Sequence, residues 1–82
     1  MPTRMEVAVH RVIDGDTFET TDGQRVRVRN VNAPELGSSS GTRAKGDLER
    51  QIQGRLVTLL VHARDAYGRL VAEVFVNGRK IA

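Results

Sequence analysis

Residues 25–35 read RVRVRNVNAPE, and this stretch decides how the chain is organised. Valine alternates with arginine from Arg25 to Arg29, and this period of two predicts a strand with valines on a buried face and arginines on the other. Pro34 has no amide hydrogen to donate, so it blocks further strand pairing. The stretch therefore predicts a strand over residues 25–31 that ends a small sheet.

Two predicted strands precede this one. Glu6 to Ile13 is rich in β-branched residues and ends at the turn signal DGD, and Thr17 to Thr20 is a second short strand. Residues 14–17, DGDT, leave no room for the helix that a ferredoxin-like fold places after its first strand. The first three strands therefore form a meander.

One amphipathic helix is predicted after the meander. Ala44, Leu48 and Ile52 recur every four residues, which predicts a helix from Arg43 to Gln53. Thr42 precedes this helix as a candidate N-cap, and Gly54 follows it as a stop signal. GSSSG, residues 37–41, is interpreted as a flexible loop.

Two further strands are predicted for residues 55–61 and 70–76, with Asn77-Gly78 as a hairpin signal after them. Five strands with one helix between the third and the fourth is the order of an OB-fold barrel. We therefore predict a mainly β, five-stranded OB-type domain spanning residues 1–82.

Composition favours an anionic partner. The net charge is +3, the isoelectric point is near 10.2, and arginine supplies eleven of the thirteen basic residues. The planar guanidinium suits phosphate better than the point charge of lysine does. Cysteine is absent, which excludes disulfides and thiolate metal sites. No leader peptide or membrane-spanning stretch is recognised, so a cytoplasmic location is the default prediction.

Several polar residues have the chemistry of phosphodiester hydrolysis. If the arginine strand pairs beside the first strand, Asn32 and Glu35 come close to Asp16, with Arg27 on the same surface. Arg69 lies on another turn. This set offers oxygen ligands for a metal, a carboxylate to activate water and arginines to hold a phosphate. The neighbours Arg25 and Arg29 are interpreted as a solvated strand face.

Four consecutive motifs strengthen this interpretation. VIDGDTF, RVRVRNVNAPE, AKGDLERQIQG and DAYGRLVAEVFVNG resemble the motifs of the staphylococcal nuclease-like, or thermonuclease, family, in order and spacing over residues 6–82. The resemblance implies an OB-fold nuclease that hydrolyses DNA or RNA with calcium.

The resemblance also implies a metal site. Asp16 matches the family's principal calcium-binding carboxylate, with Asp14 as an outer acid. Ala33 stands where the family offers a backbone carbonyl. Asn32 replaces the second metal-binding aspartate and brings no charge, so a weakened calcium affinity is expected.

The same resemblance implies the catalytic residues. Glu35 matches the general base that activates water, and Arg27 and Arg69 match the arginines that clamp the phosphate. Tyr67 matches an aromatic beside the phosphate-binding surface. These matches add up to a metal-dependent nuclease.

One departure from the family concerns the carboxyl end. The family domain usually continues with helical segments, so we expect apolar surface to be bare along the fifth strand and the helix. This surface favours a homodimer, formed by two-fold docking or by an exchange of elements through residues 37–41.

Two other functions are compatible with the motifs. One is an OB-fold module that binds nucleic acid without cutting it, and the other is an inactive oligomeric scaffold. Binding modules of this kind stack bases on aromatic side chains. The aromatics here are Phe18, Tyr67 and Phe75, and the two phenylalanines are expected in the core, which favours the enzyme.

Overall fold

A computed structural model describes residues 2–81. In chain order, the elements are β1 (Thr3–Asp14), β2 (Thr17–Thr20), β3 (Arg25–Val28), α1 (Ser39–Ile52), β4 (Leu56–Arg64), β5 (Leu70–Val76) and β6 (Arg79–Lys80). The sheet order is β3-β2-β1-β4-β5-β6, and an additional β3–β5 pairing closes the first five strands into a barrel. The mainly β, five-stranded OB-type fold with one helix is thus confirmed.

The barrel closes through parallel pairing of β3 with β5, whereas the other strand pairs are antiparallel. Val26 lies opposite Leu70 in this parallel ladder, and Arg27 lies opposite Val71. The assumption that the arginine strand pairs beside the first strand is wrong, because β3 lies between β2 and β5. The long strand β1 instead pairs with β2 and β4, and bulges bend it between these partners.

The core lies inside the barrel and beneath the helix. Val26 and Val28 are 0% and 2% exposed, which confirms the predicted alternation in β3. Leu48 and Ile52 of α1 join the same cluster. Burial of each such side chain contributes about 1.5–3 kcal/mol. The apolar side of α1 therefore holds the helix against the barrel.

Within residues 2–81, no helix is long and apolar enough to cross a membrane.

The helix begins earlier than predicted, at Ser39 rather than at Arg43. Ser38, not Thr42, is the N-cap, since its Oγ accepts a hydrogen bond of 2.9 Å from the backbone N–H of Gly41. The interpretation of residues 37–41 as a loop is therefore wrong for 39–41. The helix ends as predicted, before Gly54 at φ +70°.

Strand β3 ends at Val28, three residues before the predicted limit of 31. Asn30 adopts a φ of 64°, which belongs to the left-handed region and turns the chain out of the strand. The chain then runs from residue 31 to the helix cap without joining another strand. The turn at Asn30 therefore leads the following residues to the end of the barrel, where Ala33 contacts Asp16.

The carboxyl-terminal hairpin covers part of the core. Asn77 and Gly78 have φ angles of 51° and 78°, which suit a tight two-residue turn. Ile81 is buried and donates a 2.9 Å hydrogen bond to the carbonyl of Val74. The hairpin predicted from Asn77-Gly78 is therefore present, with β6 paired antiparallel to β5.

The apolar surface expected on β5 and α1 is not observed. Among residues 2–81, the exposed large apolar side chains are Leu36, Leu56 and Tyr67, and none lies on either element. The dimer predicted from such a surface loses this support and stays a prediction. Gel filtration with light scattering tests it: a folded species at 9.1 kDa contradicts the dimer, and twice that mass supports it.

A charged cluster on the outer face of the sheet predicts how stability depends on pH. Glu73 lies 2.6 Å from His62 Nε2 and 3.1 Å from Lys80 Nζ, and so links β4, β5 and β6. The hydrogen bond with His62, followed by that with Lys80, lowers the pKa of Glu73 below its ordinary value of 4.5. Its stabilising effect is therefore present above pH 4.5 and is lost as the pH falls through the lowered pKa.

Glu73→Gln is expected to lower the melting temperature at pH 7, because the charge between His62 and Lys80 disappears. The difference from the wild type should shrink as the pH falls below 4.5, where Glu73 itself becomes protonated. Thermal unfolding followed by circular dichroism at pH 7 and pH 3 measures both effects. Glu6→Gln, at an exposed position of β1, is the matched control. An equal difference at both pH values would contradict the assignment.

Candidate active site

Three segments meet at one end of the barrel. They are the β1–β2 turn, the chain from β3 to the helix cap, and the β4–β5 turn. The backbone N–H of Val28 donates a 2.8 Å hydrogen bond to the carbonyl of Asp16, which ties the first two segments together. Arg27 lies opposite Thr17 in β2 and Val71 in β5, so barrel closure places it between the first and the third segment.

Asp16 is the centre of this surface. Its Oδ1 accepts a 3.0 Å hydrogen bond from the hydroxyl of Thr17. Its Oδ2 accepts a 3.3 Å hydrogen bond from the backbone N–H of Ala33 and lies 3.8 Å from the Arg27 guanidinium. The prediction placed Asn32 and Glu35 near Asp16. The structure brings the Ala33 backbone to Asp16 directly and links Asn32 to Asp16 through Arg27, and this arrangement arises through β2 and not through β1.

Asp14 and Asp16 have different protonation behaviour. Asp14 Oδ1 accepts a 3.1 Å hydrogen bond from the backbone N–H of Asp16. Burial, reinforced by the nearby Asp16 carboxylate, raises the pKa of Asp14. Burial alone would raise the pKa of Asp16 as well, but the hydrogen bond with the Asp14 side chain, followed by those from Ala33 and Thr17 and by the charge of Arg27, outweighs it and lowers that pKa. Asp16 is therefore the carboxylate that holds its negative charge to lower pH.

Arg27 and Asn32 contact one another directly. The Arg27 guanidinium donates a 2.8 Å hydrogen bond to Asn32 Oδ1. The same nitrogen lies near Asp16, so one guanidinium bridges the carboxylate and the amide. The Arg27 side chain is 24% exposed, which leaves part of its donor fork open to an anion.

Arg69 is held by its own turn. Asp65 accepts a 2.7 Å hydrogen bond from Arg69 Nε through one oxygen and a 2.9 Å bond from the backbone N–H of Arg69 through the other. Burial opposes ionisation of Asp65, but the hydrogen bonds from Arg69 and Tyr67 outweigh it and lower its pKa. Arg69 Nη1 also lies 3.4 Å from the hydroxyl of Thr17. Thr17 thus connects the Arg69 turn to Asp16.

Tyr67 is on the surface, beside Arg69. The guanidinium carbon of Arg69 lies 5.3 Å from the centroid of the Tyr67 ring, within the range of a cation–π contact. Tyr67 is 86% exposed, so most of the ring is open to a ligand.

Glu35 is positioned through its backbone. Its carbonyl accepts a 2.9 Å hydrogen bond from the hydroxyl of Ser38, the helix cap. A Cβ placed at Gly41 would come within 1.9 Å of this carbonyl oxygen, so only glycine permits the first turn of α1 to pack here. The Glu35 side chain is exposed, and no hydrogen bond or ion pair within residues 2–81 engages its carboxylate. The fold brings Glu35 to the same end of the barrel with its carboxylate free.

The available metal ligands are all oxygens. Asp14, Asp16, the Asn32 amide and the Ala33 carbonyl offer the donors that calcium prefers. Within the described residues, no group of three or more acidic, His or Cys side chains forms a metal-binding cluster. The set fits a hard cation in donor type and carries two carboxylates, and the weakened affinity expected from Asn32 stays a prediction.

Sequence reasoning missed the residues that orient the others. Thr17 and Asp65 fix Asp16 and Arg69, and the Asp-x-x-x-Arg spacing within DAYGR could have indicated the second of these contacts. Gly15 was also missed as a packing residue. A Cβ there would lie 2.6 Å from the side chains of both Ala33 and Ala44, so glycine allows the acidic turn to approach them. This close approach has no signal in the local sequence.

Comparison with known proteins agrees with this architecture. A family model described as "Staphylococcal nuclease homologue" matches residues 25–82. An "Uncharacterized endonuclease" of Escherichia coli O157:H7 is 36% identical over 70 residues, which cover 82% of this chain and 46% of that protein. "Protein ParB" of Escherichia coli is 40% identical over 72 residues, covering 84% and 41%.

A plant relative is also similar. "Staphylococcal-like nuclease CAN1" of Arabidopsis thaliana is 31% identical over 55 residues, which cover 67% of this chain and 17% of that protein. The chain therefore spans less than half the length of these relatives. The matched region includes the arginine strand, the helix and the β4–β5 turn. On the evidence of this match, which covers more than half of the chain, the chain belongs to the family of staphylococcal nuclease homologues.

Proposed function

We propose that the chain is a calcium-dependent phosphodiesterase that hydrolyses DNA or RNA. The observation that carries the proposal is the junction at Asp16, whose Oδ2 is shared by the Ala33 amide and the Arg27 guanidinium. The Asp16 carboxylate, the Arg27 guanidinium and the side-chain amide oxygen of Asn32 therefore lie together on one surface. The nuclease names of several relatives support the same chemistry.

The metal ligands in this proposal are Asp16, the Asn32 side-chain oxygen and the Ala33 carbonyl, with Asp14 in an outer position. A bound calcium ion would supply positive charge next to the phosphate. Asp16 suits this task because its lowered pKa keeps it ionised. Asn32 Oδ1 accepts one hydrogen bond from Arg27, so its second lone pair would be available to hold the ion.

The chain's own residues then carry the hydrolysis. Glu35 takes a proton from water, and the water oxygen forms a new bond to phosphorus. The bond between phosphorus and the leaving ester oxygen breaks, that oxygen takes a proton from solvent, and Glu35 returns its own proton to solvent. Arg27 and Arg69 donate hydrogen bonds to the phosphate oxygens, whose negative charge increases in the transition state. Asp65 and Thr17 hold Arg69 in place for this role.

The test is cleavage of labelled single-stranded DNA and RNA by the purified chain, with calcium and with a chelator. Cleavage that requires calcium supports the proposal. Binding without cleavage in both conditions would refute it in favour of a binding module, and absence of both activities would favour the scaffold.

A further inference from the structure

A surface recess extends the candidate active site from Arg69 and Tyr67 to Arg25. Its volume is ≈ 250 Å³, and Arg25, Tyr67 and Arg69 line it. This volume is below the roughly 300–1,000 Å³ typical of small-molecule pockets. The recess is also shallow and rimmed by two guanidiniums and a phenol ring. It therefore suits part of an extended anionic chain better than an enclosed small molecule.

Barrel closure places the two arginines side by side. The parallel ladder pairs Val26 with Leu70, so the residues just before them, Arg25 and Arg69, are neighbours across β3 and β5. Asp65 neutralises Arg69 through a 2.7 Å contact. Arg25 has no comparable partner within residues 2–81, since its Nε lies 3.9 Å from Glu19.

Glu19 forms its shorter contact with another arginine, Arg11. It accepts a 3.2 Å hydrogen bond from Arg11 Nε, so one carboxylate faces two guanidiniums and leaves one positive charge uncompensated. The Arg25 side chain is 55% exposed and accessible to a ligand. This exposure agrees with the predicted solvated strand face, and the incompletely neutralised charge beside Arg69 is an additional feature.

We infer that Arg25 binds a second phosphate of a polynucleotide, adjacent to the phosphate held by Arg69. The inference rests on the proposed function, and it makes Arg25 a determinant of preference for longer substrates. Tyr67 lines the same recess as the two arginines, and its exposed ring stacks a base of a single strand. A substrate with only one phosphodiester cannot use Arg25.

Binding of a fluorescein-labelled single-stranded DNA oligonucleotide tests the inference independently of cleavage. Anisotropy is measured in chelator between 50 and 200 mM salt for the wild type, Arg25→Gln and Arg79→Gln. Losing one phosphate contact should weaken binding about fivefold at 0.1 M salt and reduce the slope of log K against log salt by about 0.7. Arg79 is the matched control because it pairs with Val76, at the opposite end of β5 from Arg69.

Cleavage kinetics then compare the oligonucleotide with a dinucleotide that has a single phosphodiester. Arg25→Gln should raise KM for the oligonucleotide about fivefold and leave kcat/KM for the dinucleotide unchanged. An unchanged salt slope, or an equal loss on both substrates, would overturn the inference. A wild type that binds but cleaves neither substrate would refute the proposed function alone, and the salt slopes would still decide on Arg25. A wild type that does not bind would refute both.

Discussion

Glu35→Gln is expected to lower phosphodiester cleavage by about two to four orders of magnitude, because the amide cannot accept the proton of the attacking water. Nucleic-acid binding should survive, since the side chain makes no contact within residues 2–81 that holds the fold together and the arginines remain in place. Initial cleavage rates with calcium and anisotropy of a labelled oligonucleotide measure the two properties on the same preparation.

Glu6→Gln provides the matched control for this prediction. It removes the same charge from an exposed position of β1 that lies opposite Thr58, away from the Asp14 end of the strand. Cleavage by this variant should equal that of the wild type. Undiminished cleavage by Glu35→Gln would show that another group takes the proton or that a contaminating nuclease is present.

Asn32→Asp is expected to raise calcium affinity by about one to two orders of magnitude, because the number of carboxylates tunes such sites. Asn32 accepts a hydrogen bond from Arg27, so the structure also defines a competing outcome. In that outcome the new carboxylate forms an ion pair with the Arg27 guanidinium, and calcium affinity does not rise. Calorimetric titration with calcium distinguishes the two outcomes.

Asn77→Asp is the control for this second variant. It makes the same chemical change in the β5–β6 turn, and aspartate tolerates the φ of 51° found there. Its calcium affinity should match that of the wild type. Equal affinities for Asn32→Asp and the wild type would mean that residue 32 does not strengthen the metal site.

Local patterns in the sequence predict most of the fold. Val26 and Val28 define the buried face of their strand, and Leu48 and Ile52 define that of the helix, because burial follows a periodicity that is visible in a short window. The start of the helix was missed because the sequence offers two N-cap residues. Ser38 and Thr42 are both competent caps, and the packing of the first helical turn against Glu35 favours the earlier one.

The candidate site, like the fold, could be predicted from the sequence only in part. The resemblance of the motifs identifies residues that the structure brings together, including Asp16, Arg27 and Asn32. The contact between Thr17 and Arg69 depends on how turns from distant segments meet, whereas the contact between Asp65 and Arg69 lies within one turn. The additional cation at Arg25 becomes visible only when the parallel β3–β5 ladder places it next to Arg69. A single strand pattern does not carry that information.

The parallel ladder that closes the barrel has a consequence for refolding. Arg69 and Thr17 meet across 52 positions of the chain, whereas the cap and the first turn of the helix form between close neighbours. Contacts of long sequence separation incur a greater loss of chain entropy before they form, so they limit the folding rate. A chain with its helix but without the β3–β5 ladder keeps Arg25 and Arg69 apart. Recovery of oligonucleotide binding after dilution from denaturant therefore reports barrel closure, whereas the helical circular dichroism signal reports local structure.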